Sequence, residues 1–154
     1  MKKLIFIASI LSVLIGCSKD DNSSKTNNPS TANLLTVKID GVLWEGTITE
    51  NELIESINKI SVVAIKSSSQ EIFRFNFDNY EGLGAYPKPK DRTAWESFSI
   101  GNNKVYFNFP GSGLIINFTS EETVGGIKKF HGNLSGTLAP ADGGDDLQFT
   151  EGKF

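Results

Sequence analysis

Length, charge and cysteine content restrict what this sequence can encode. Its 154 residues fit a single domain, and 15 basic against 18 acidic residues leave no basic footprint for nucleic acid. With one histidine and one cysteine, a Cys–Cys zinc site, a disulfide framework and a cysteine–histidine nucleophile are all poorly supported.

Residues 1–16 have the pattern of a bacterial lipoprotein signal peptide. Two lysines precede an apolar stretch that is too short to span a membrane. The Leu14-Ile15-Gly16-Cys17 sequence resembles a lipobox, the motif that directs acylation of the cysteine thiol and cleavage before it. We therefore expect cleavage between Gly16 and Cys17 and lipid attachment at Cys17, which leaves a formal charge of −5 in place of −3. The alternative is an ordinary signal peptide with a free cysteine.

The residues directly after the cysteine carry a second sorting pattern. They are Ser18, Lys19, Asp20 and Asp21, and they resemble the signal that exports Bacteroidota lipoproteins to the cell surface. This predicts a protein anchored in the outer membrane through acylated Cys17 and facing the exterior. The alternative interpretation is a solvated, charged tether without a sorting role.

Residues 17–33 are predicted to form a flexible tether between the acylated cysteine and the folded domain. After the cysteine, the only apolar residue is Ala32. Such a composition cannot bury enough surface to offset the entropy of ordering. A flexible chain of this length spans roughly 20–24 Å on average.

From Leu34 onward, apolar and polar residues alternate with the period of a β-strand. Asp40-Gly41 marks a hairpin, and Trp44, which follows it on an apolar strand, is predicted to lie in the core. Gly132 and Gly136 share the parity of the apolar residues in their strand, which suggests bends or close backbone approach. The predicted strands lie around 34–39, 42–44, 60–65, 73–77, 105–109, 114–118, 130–138 and 147–154.

One segment interrupts this pattern. Thr49-Glu50-Asn51-Glu52 resembles a capping box, which predicts a short helix or structured loop as far as Ile57. The remaining eight or nine short strands, in meander order, predict an antiparallel all-β domain over residues 34–154. Alternation fits a barrel and a two-sheet sandwich equally well.

These features together resemble a family of small, uncharacterised Bacteroidota lipoproteins that contain a domain of unknown function. The likeness rests on the lipobox, on Cys17 to Asp21, on Val37 to Trp44 and on the terminal Phe149 to Phe154. It implies a small β-domain at the cell envelope, and it implies no catalytic residues.

Motifs for catalysis and metal binding are weak in this sequence. His131 is predicted on an outer face without a second histidine or cysteine, and neither a nucleophile elbow nor a phosphate loop occurs. Asp142, Asp145 and Asp146 offer oxygen ligands that suit calcium, but their spacing fits a solvated hairpin loop better. We expect no cofactor and no bound metal.

Residues 79–97 contain little strand pattern and several aromatic residues. Tyr80, Tyr86, Trp95 and Arg92 could contact a glycan or a protein partner, with the rings stacking on sugar faces. Alternatively, the aromatic side chains form a lid that closes one end of the barrel. The lid interpretation predicts that Trp95→Ala lowers the melting temperature.

The first functional expectation is a non-enzymatic lipoprotein with a binding or structural β-domain. The alternatives are a binder of a glycan or small apolar ligand at the barrel mouth, and a hydrolase of envelope polysaccharide. Paired carboxylates in a cleft would indicate the hydrolase. A packed interior would favour a structural or protein-interaction role.

Overall fold

The structure is a computed structural model that describes residues 33–87, 95–101, 104–108 and 113–154. The predicted signal peptide, the lipobox with Gly16 and Cys17, the export signal and the tether as far as residue 32 lie outside the described residues.

Among the described residues, the domain contains ten strands, with a short 3-10 turn between the second and third. In chain order the strands are β1 (Leu34–Ile39), β2 (Val42–Ile54), β3 (Lys59–Lys66), β4 (Glu71–Asp78), β5 (Gly84–Tyr86), β6 (Trp95–Ile100), β7 (Lys104–Phe107), β8 (Gly113–Val124), β9 (Ile127–Pro140) and β10 (Leu147–Lys153). The 3-10 turn covers Glu55–Ile57, between β2 and β3. The predicted all-β class is confirmed.

The sheet closes on itself as an antiparallel barrel. Its ring of eight strands runs β10–β1–β2–β3–β4–β6–β7–β9, and the pairing of β9 with β10 completes it. β8 pairs with β9, and β5 pairs with β8. Of the two predicted architectures, the barrel is therefore correct. Closure gives every strand of the ring a partner on both sides, which removes free edges.

β7 and β8 occupy successive parts of one strand position. Both pair with β9: Phe107 lies opposite Ala139, and Gly113 lies opposite Thr137. Together they match the length of β9, which is the longest strand described. The barrel wall is therefore continuous along β9 although its neighbour is interrupted.

The prediction of little strand structure over residues 79–97 is wrong at two places. β5 pairs with β8, and β6 begins at Trp95 and pairs with β4 and β7. β6 places Glu96 and Phe98 on the inward face, where both are buried. A charged residue at an inward position breaks the apolar alternation, so the hydropathy pattern does not reveal this strand.

The prediction of a helix or loop over Thr49 to Ile57 is wrong for most of its length. β2 continues to Ile54, and only Glu55–Ile57 forms a 3-10 turn. The Asn51 side chain explains the extension, because its amide pairs with the backbone of β9. Its Nδ2 donates to the Phe130 carbonyl at 2.7 Å, and its Oδ1 accepts from the Phe130 N–H at 2.9 Å. These non-local bonds outweigh the local capping pattern.

The two ends of the barrel are distinct. The entry end, where the chain enters β1 at Leu34, also carries the β2–β3, β4–β5 and β8–β9 connections. The far end carries the β1–β2, β3–β4, β6–β7 and β9–β10 connections. The predicted hairpin at Asp40-Gly41 is confirmed at the far end, where both residues have positive φ and Ile39 pairs with Val42.

Aromatic side chains fill the interior in two groups, one towards each end. The far-end cluster consists of Trp44, Phe73, Phe98 and Phe149, with ring centroids 5.5–6.1 Å apart. The entry-end cluster consists of Phe77, Tyr86, Phe118 and Phe130, with ring centroids 5.2–6.0 Å apart. Phe75 contacts Phe73, Phe77 and Phe118 and so connects the two clusters.

The two inward glycines of β9 allow close backbone approach, as predicted. A Cβ at Gly136 would lie 2.1 Å from the Gly113 carbonyl oxygen, and one at Gly132 would lie 2.3 Å from that of Asn117. The obstructing atoms belong to the backbone of β8, so a side chain at either position would force the two strands apart.

Candidate functional site

The far end of the barrel is closed by Trp44. Its side chain is 4 % exposed, which confirms its predicted core position, and its ring contacts Phe73 and Phe98. The indole Nε1 donates to a carboxylate oxygen of Glu71 at 2.8 Å, so the one polar atom of the ring is satisfied. The ring also lies over Gly46, where a Cβ would come within 2.3 Å of it.

The entry end is closed by Tyr86, whose ring is fully buried against Phe77 and Phe118. Its hydroxyl accepts from the Glu81 N–H and donates to the Gly82 carbonyl, both at 2.8 Å. Tyr86 therefore holds the β4–β5 connection over the barrel end. This is the predicted lid arrangement, and a buried ring cannot serve as an exposed platform for a ligand.

Tyr80 links three connections at the entry end. Its N–H donates to the Asn58 carbonyl at 3.1 Å, and Asn58 Nδ2 donates back to the Tyr80 carbonyl at 3.2 Å. Its hydroxyl donates to Glu121 on β8 at 2.5 Å, and Lys128 on β9 contacts the same carboxylate at 3.0 Å. These contacts join the β2–β3, β4–β5 and β8–β9 connections into one unit, which we call the Tyr80 network.

Ionisation in the Tyr80 network follows these contacts. Burial and the hydrogen bond to Glu121 raise the pKa of the Tyr80 hydroxyl. The hydrogen bond from Tyr80 and the charge of Lys128 lower the pKa of the Glu121 carboxyl. Glu121 is therefore a carboxylate and Tyr80 a neutral donor at neutral pH, which favours the bond between them.

Trp95 is placed differently from both tyrosines. It is 64 % exposed on the outer wall, at the start of β6. Asn76 of β4 lies opposite Trp95 and accepts a hydrogen bond from the Ser61 hydroxyl at 2.7 Å. On the next strand, Glu52 lies opposite Ser61. The lid interpretation is therefore wrong for Trp95, because strand alternation turns this ring out of the barrel. Arg92 lies outside the described residues.

The weak metal candidates do not come together. Asp142, Asp145 and Asp146 are exposed in the β9–β10 connection. In the part of the chain that the structure describes, no three His, Cys, Asp or Glu side chains are grouped closely enough to hold a metal ion. His131 lies on the outer side of β9, with its Nε2 3.3 Å from a carboxylate oxygen of Glu122.

Glu96 is a buried carboxylate that sequence reasoning missed. It is 1 % exposed and lies on the same inward face as Phe98, and its carbonyl accepts from the Asn108 N–H at 3.2 Å. It is the only acidic side chain that is buried among the described residues. The alternation of β6 places Glu96 on the inward face, but the sequence pattern did not predict that strand.

An open groove of about 500 Å³ lies on the outer wall over β1, β9 and β10. It forms where β10 departs from regular register between Phe149 and Gly152. Glu151 has a positive φ there and contacts Lys38 at 2.7 Å. The groove is lined by Thr36, Lys38, Leu43, Asn133, Leu134, Ser135, Glu151, Gly152 and Lys153.

Four exposed apolar side chains lie in or beside the connections of the entry end. Ile57 is 61 % exposed, Leu83 46 %, Val124 49 % and Ile127 43 %. Ile57 belongs to the β2–β3 connection, Leu83 to the β4–β5 connection, and the other two flank the Gly125-Gly126 turn of the β8–β9 hairpin. We call these four residues the apolar rim.

Comparisons with known proteins found no relative of this chain. The chain matches no protein-family model, no curated protein and no solved structure. Within the described ranges, no helix has the length and hydropathy that crossing a bilayer requires.

Proposed function

We propose that this protein is a lipid-anchored lipoprotein of the outer membrane, displayed on the cell surface, whose β-barrel is a non-enzymatic scaffold or protein-interaction domain. The anchor and the location are proposed from the lipobox, from Ser18 to Asp21 and from the likeness to Bacteroidota lipoproteins. The character of the domain is proposed from the interior of the barrel.

The observation that carries this proposal is the aromatic filling of the barrel. Trp44 occupies the interior at the far end, and Tyr86 occupies it at the entry end. Between them, phenylalanine rings pack at contact distance from Phe73 to Phe118. Protein interiors packed in this way leave little room for a ligand. The outer surface is therefore the favoured place for the function of the domain.

The anchor is tested by growing the bacterium that produces the protein with a labelled fatty acid. Label should enter the wild-type protein and be absent from the Cys17→Ala variant. Equal labelling of both proteins would contradict the lipoprotein proposal. Protease added to intact cells should digest the wild-type protein, whereas digestion only after lysis would place the domain in the periplasm.

The filled interior is tested with 1-anilinonaphthalene-8-sulfonate, a dye that fluoresces in apolar cavities. The folded protein should give no saturable increase in emission. Saturable binding at one dye per chain, abolished by Leu114→Trp inside the barrel, would indicate a ligand cavity instead. Leu114 is fully buried, so the substitution fills interior space. Ile115→Trp, on the adjacent exposed position, is the matched control.

A glycan-binding surface is the second candidate, and exposed Trp95 favours it. The row Trp95, Asn76, Ser61 and Glu52 crosses four strands in register, and it combines the exposed ring with the Asn76 amide and the Glu52 carboxylate, while buried Ser61 holds the Asn76 amide in place. Loss of a stacked ring costs roughly 1–3 kcal/mol in comparable platforms. Trp95→Ala should therefore weaken binding by about fivefold to 150-fold on a glycan array. An unchanged binding profile would exclude this surface.

A further inference from the structure

The apolar rim lies at the end of the barrel that receives the predicted tether. β1 begins at Leu34, and the connections that carry Ile57, Leu83, Val124 and Ile127 share that end. The opposite end carries three exposed apolar residues, Val42 and Leu43 in the β1–β2 hairpin and Ile100 at the end of β6. The β9–β10 connection at that end holds the exposed acidic residues Asp142, Asp145 and Asp146.

The rim residues belong to connections that are held together. Ile57 precedes Asn58, Leu83 follows Tyr80 by three positions, and Val124 and Ile127 stand within three positions of Glu121 and Lys128. Asn58, Tyr80, Glu121 and Lys128 form the Tyr80 network. The rim is therefore carried on two connections and one hairpin that the Tyr80 network joins.

We propose that the apolar rim rests on the lipid surface to which Cys17 is anchored, so that the barrel stands on its entry end with the far end outward. This inference rests on the proposed lipid anchor. The predicted tether spans roughly 20–24 Å, whereas the thirteen residues of β2, tilted as barrel strands are, separate the two ends by about 30–35 Å. The tether is thus too short to present the far end to the bilayer as readily as the entry end.

The chemistry of the rim fits the boundary between lipid headgroups and acyl chains. Four branched apolar side chains can enter that boundary while the surrounding polar groups stay hydrated. Lys128 and Lys129 stand beside Ile127, but Glu121 contacts Lys128 and Glu122 lies opposite Lys129, so net charge is not the main attraction. A short flexible link supplies a millimolar effective concentration, so a contact that is weak in free solution suffices.

The test places the protein on a membrane independently of natural lipidation. Cys17 is the only cysteine, so residues 17–154 can be coupled through it to a maleimide-bearing lipid in phosphatidylcholine vesicles. The Leu83→Trp substitution supplies a fluorescent reporter within the rim. Lipids with brominated acyl chains quench a tryptophan that contacts the bilayer. Coupled protein without the reporter corrects for the emission of Trp44 and Trp95.

Two matched backgrounds decide the outcome. We expect quenching of the reporter by about half, since tethering favours the docked state. Quenching should be lost in Val124→Ser/Ile127→Ser and retained in Val42→Ser/Leu43→Ser, which removes an exposed apolar pair from the far end. Equal quenching in all three proteins, or none in any, would overturn the proposal. Unfolding midpoints of the variants confirm that they fold.

Two further outcomes separate this inference from its premise. If sedimentation shows self-association that only Val124→Ser/Ile127→Ser abolishes, and quenching is absent, the rim binds a second copy and the membrane proposal is wrong. If the reporter is quenched but fatty acid never labels Cys17 in cells, the proposed anchor fails while the affinity of the rim for lipid stands.

Discussion

At the far end of the barrel, one side chain from a regular strand closes the interior. Trp44 lies in β2, opposite Val37, and its position follows from the alternation of that strand. At the entry end, closure depends on hydrogen bonds that involve the connections: Tyr86, at the end of β5, bonds to Glu81 and Gly82, and Tyr80 bonds to Asn58 and Glu121. The position within a long strand thus places the closing side chain at one end, and side-chain hydrogen bonds to the connections hold the closing residues at the other.

This difference predicts that the two ends respond differently to substitution. At the far end, the loss of stability upon substitution should depend on the packing volume that is removed. At the entry end, the loss of stability should depend on which hydrogen bonds are removed, and it should increase local opening as well as global unfolding.

The largest effect is expected for Trp44→Ala. Removing this buried ring empties space against Phe73 and Phe98, and we expect the free energy of unfolding to fall by about 3–5 kcal/mol. Chemical denaturation measures it. Trp95→Ala is the matched control, because its ring is 64 % exposed, and it should change stability by less than about 0.5 kcal/mol. A comparable loss for both tryptophans would contradict the assignment of their positions.

Asn51→Ala tests the bond between β2 and β9 near the entry end. The substitution leaves the N–H and carbonyl of Phe130 without the Asn51 amide, in a buried setting. Unsatisfied buried polar groups cost about 1–3 kcal/mol, and we expect a loss of that size in the free energy of unfolding. Asn133→Ala, at an exposed position of β9, should be nearly neutral. An equal loss in both variants would show that the buried pairing of Asn51 has no special role.

Tyr86→Phe keeps the buried ring and removes only the hydroxyl. Two hydrogen bonds to the β4–β5 connection are lost, and we expect destabilisation of about 1 kcal/mol. Hydrogen exchange at the Glu81 amide should become faster, which a purely global effect at the far end would not produce. Tyr106→Phe, on β7, should leave that exchange rate unchanged. If Glu81 exchange stays slow in Tyr86→Phe, the connection is held by other contacts.

The smallest effect concerns pH and Glu121. Its pKa is lowered in the folded state, so its stabilising contribution is present above its usual value near 4.5 and is lost as pH falls below that value. The wild type should be more stable than Glu121→Gln at pH 7, by less than about 1 kcal/mol because the pair is partly exposed. The difference between their melting temperatures should shrink below pH 4.5.

The Tyr80→Phe background provides the control for this effect. Without the Tyr80 hydroxyl, the largest cause of the lowered pKa is gone, so Glu121→Gln should have a smaller effect at pH 7. An undiminished effect in that background would assign the stabilisation to Lys128 instead of Tyr80.

Elements whose apolar and polar side chains alternate regularly could be predicted from local patterns. The Asp40-Gly41 hairpin, the core position of Trp44, the inward phenylalanines of β4 and the close approach at Gly132 and Gly136 all follow from period two and from glycine geometry. These features depend on neighbours along the chain or on one adjacent strand, so local patterns are enough to predict them.

Closure of the sheet, the extension of β2 and the separate positions of Tyr86 and Trp95 depend on long-range contacts. Closure depends on β10 meeting β1, the last and the first of the described strands. β2 stays extended because Asn51 reaches Phe130, 79 positions away. Because charged Glu96 occupies an inward position, the hydropathy pattern does not predict the start of β6 or the outward orientation of Trp95. Each of these outcomes depends on contacts between residues distant in the chain, which no local periodicity encodes.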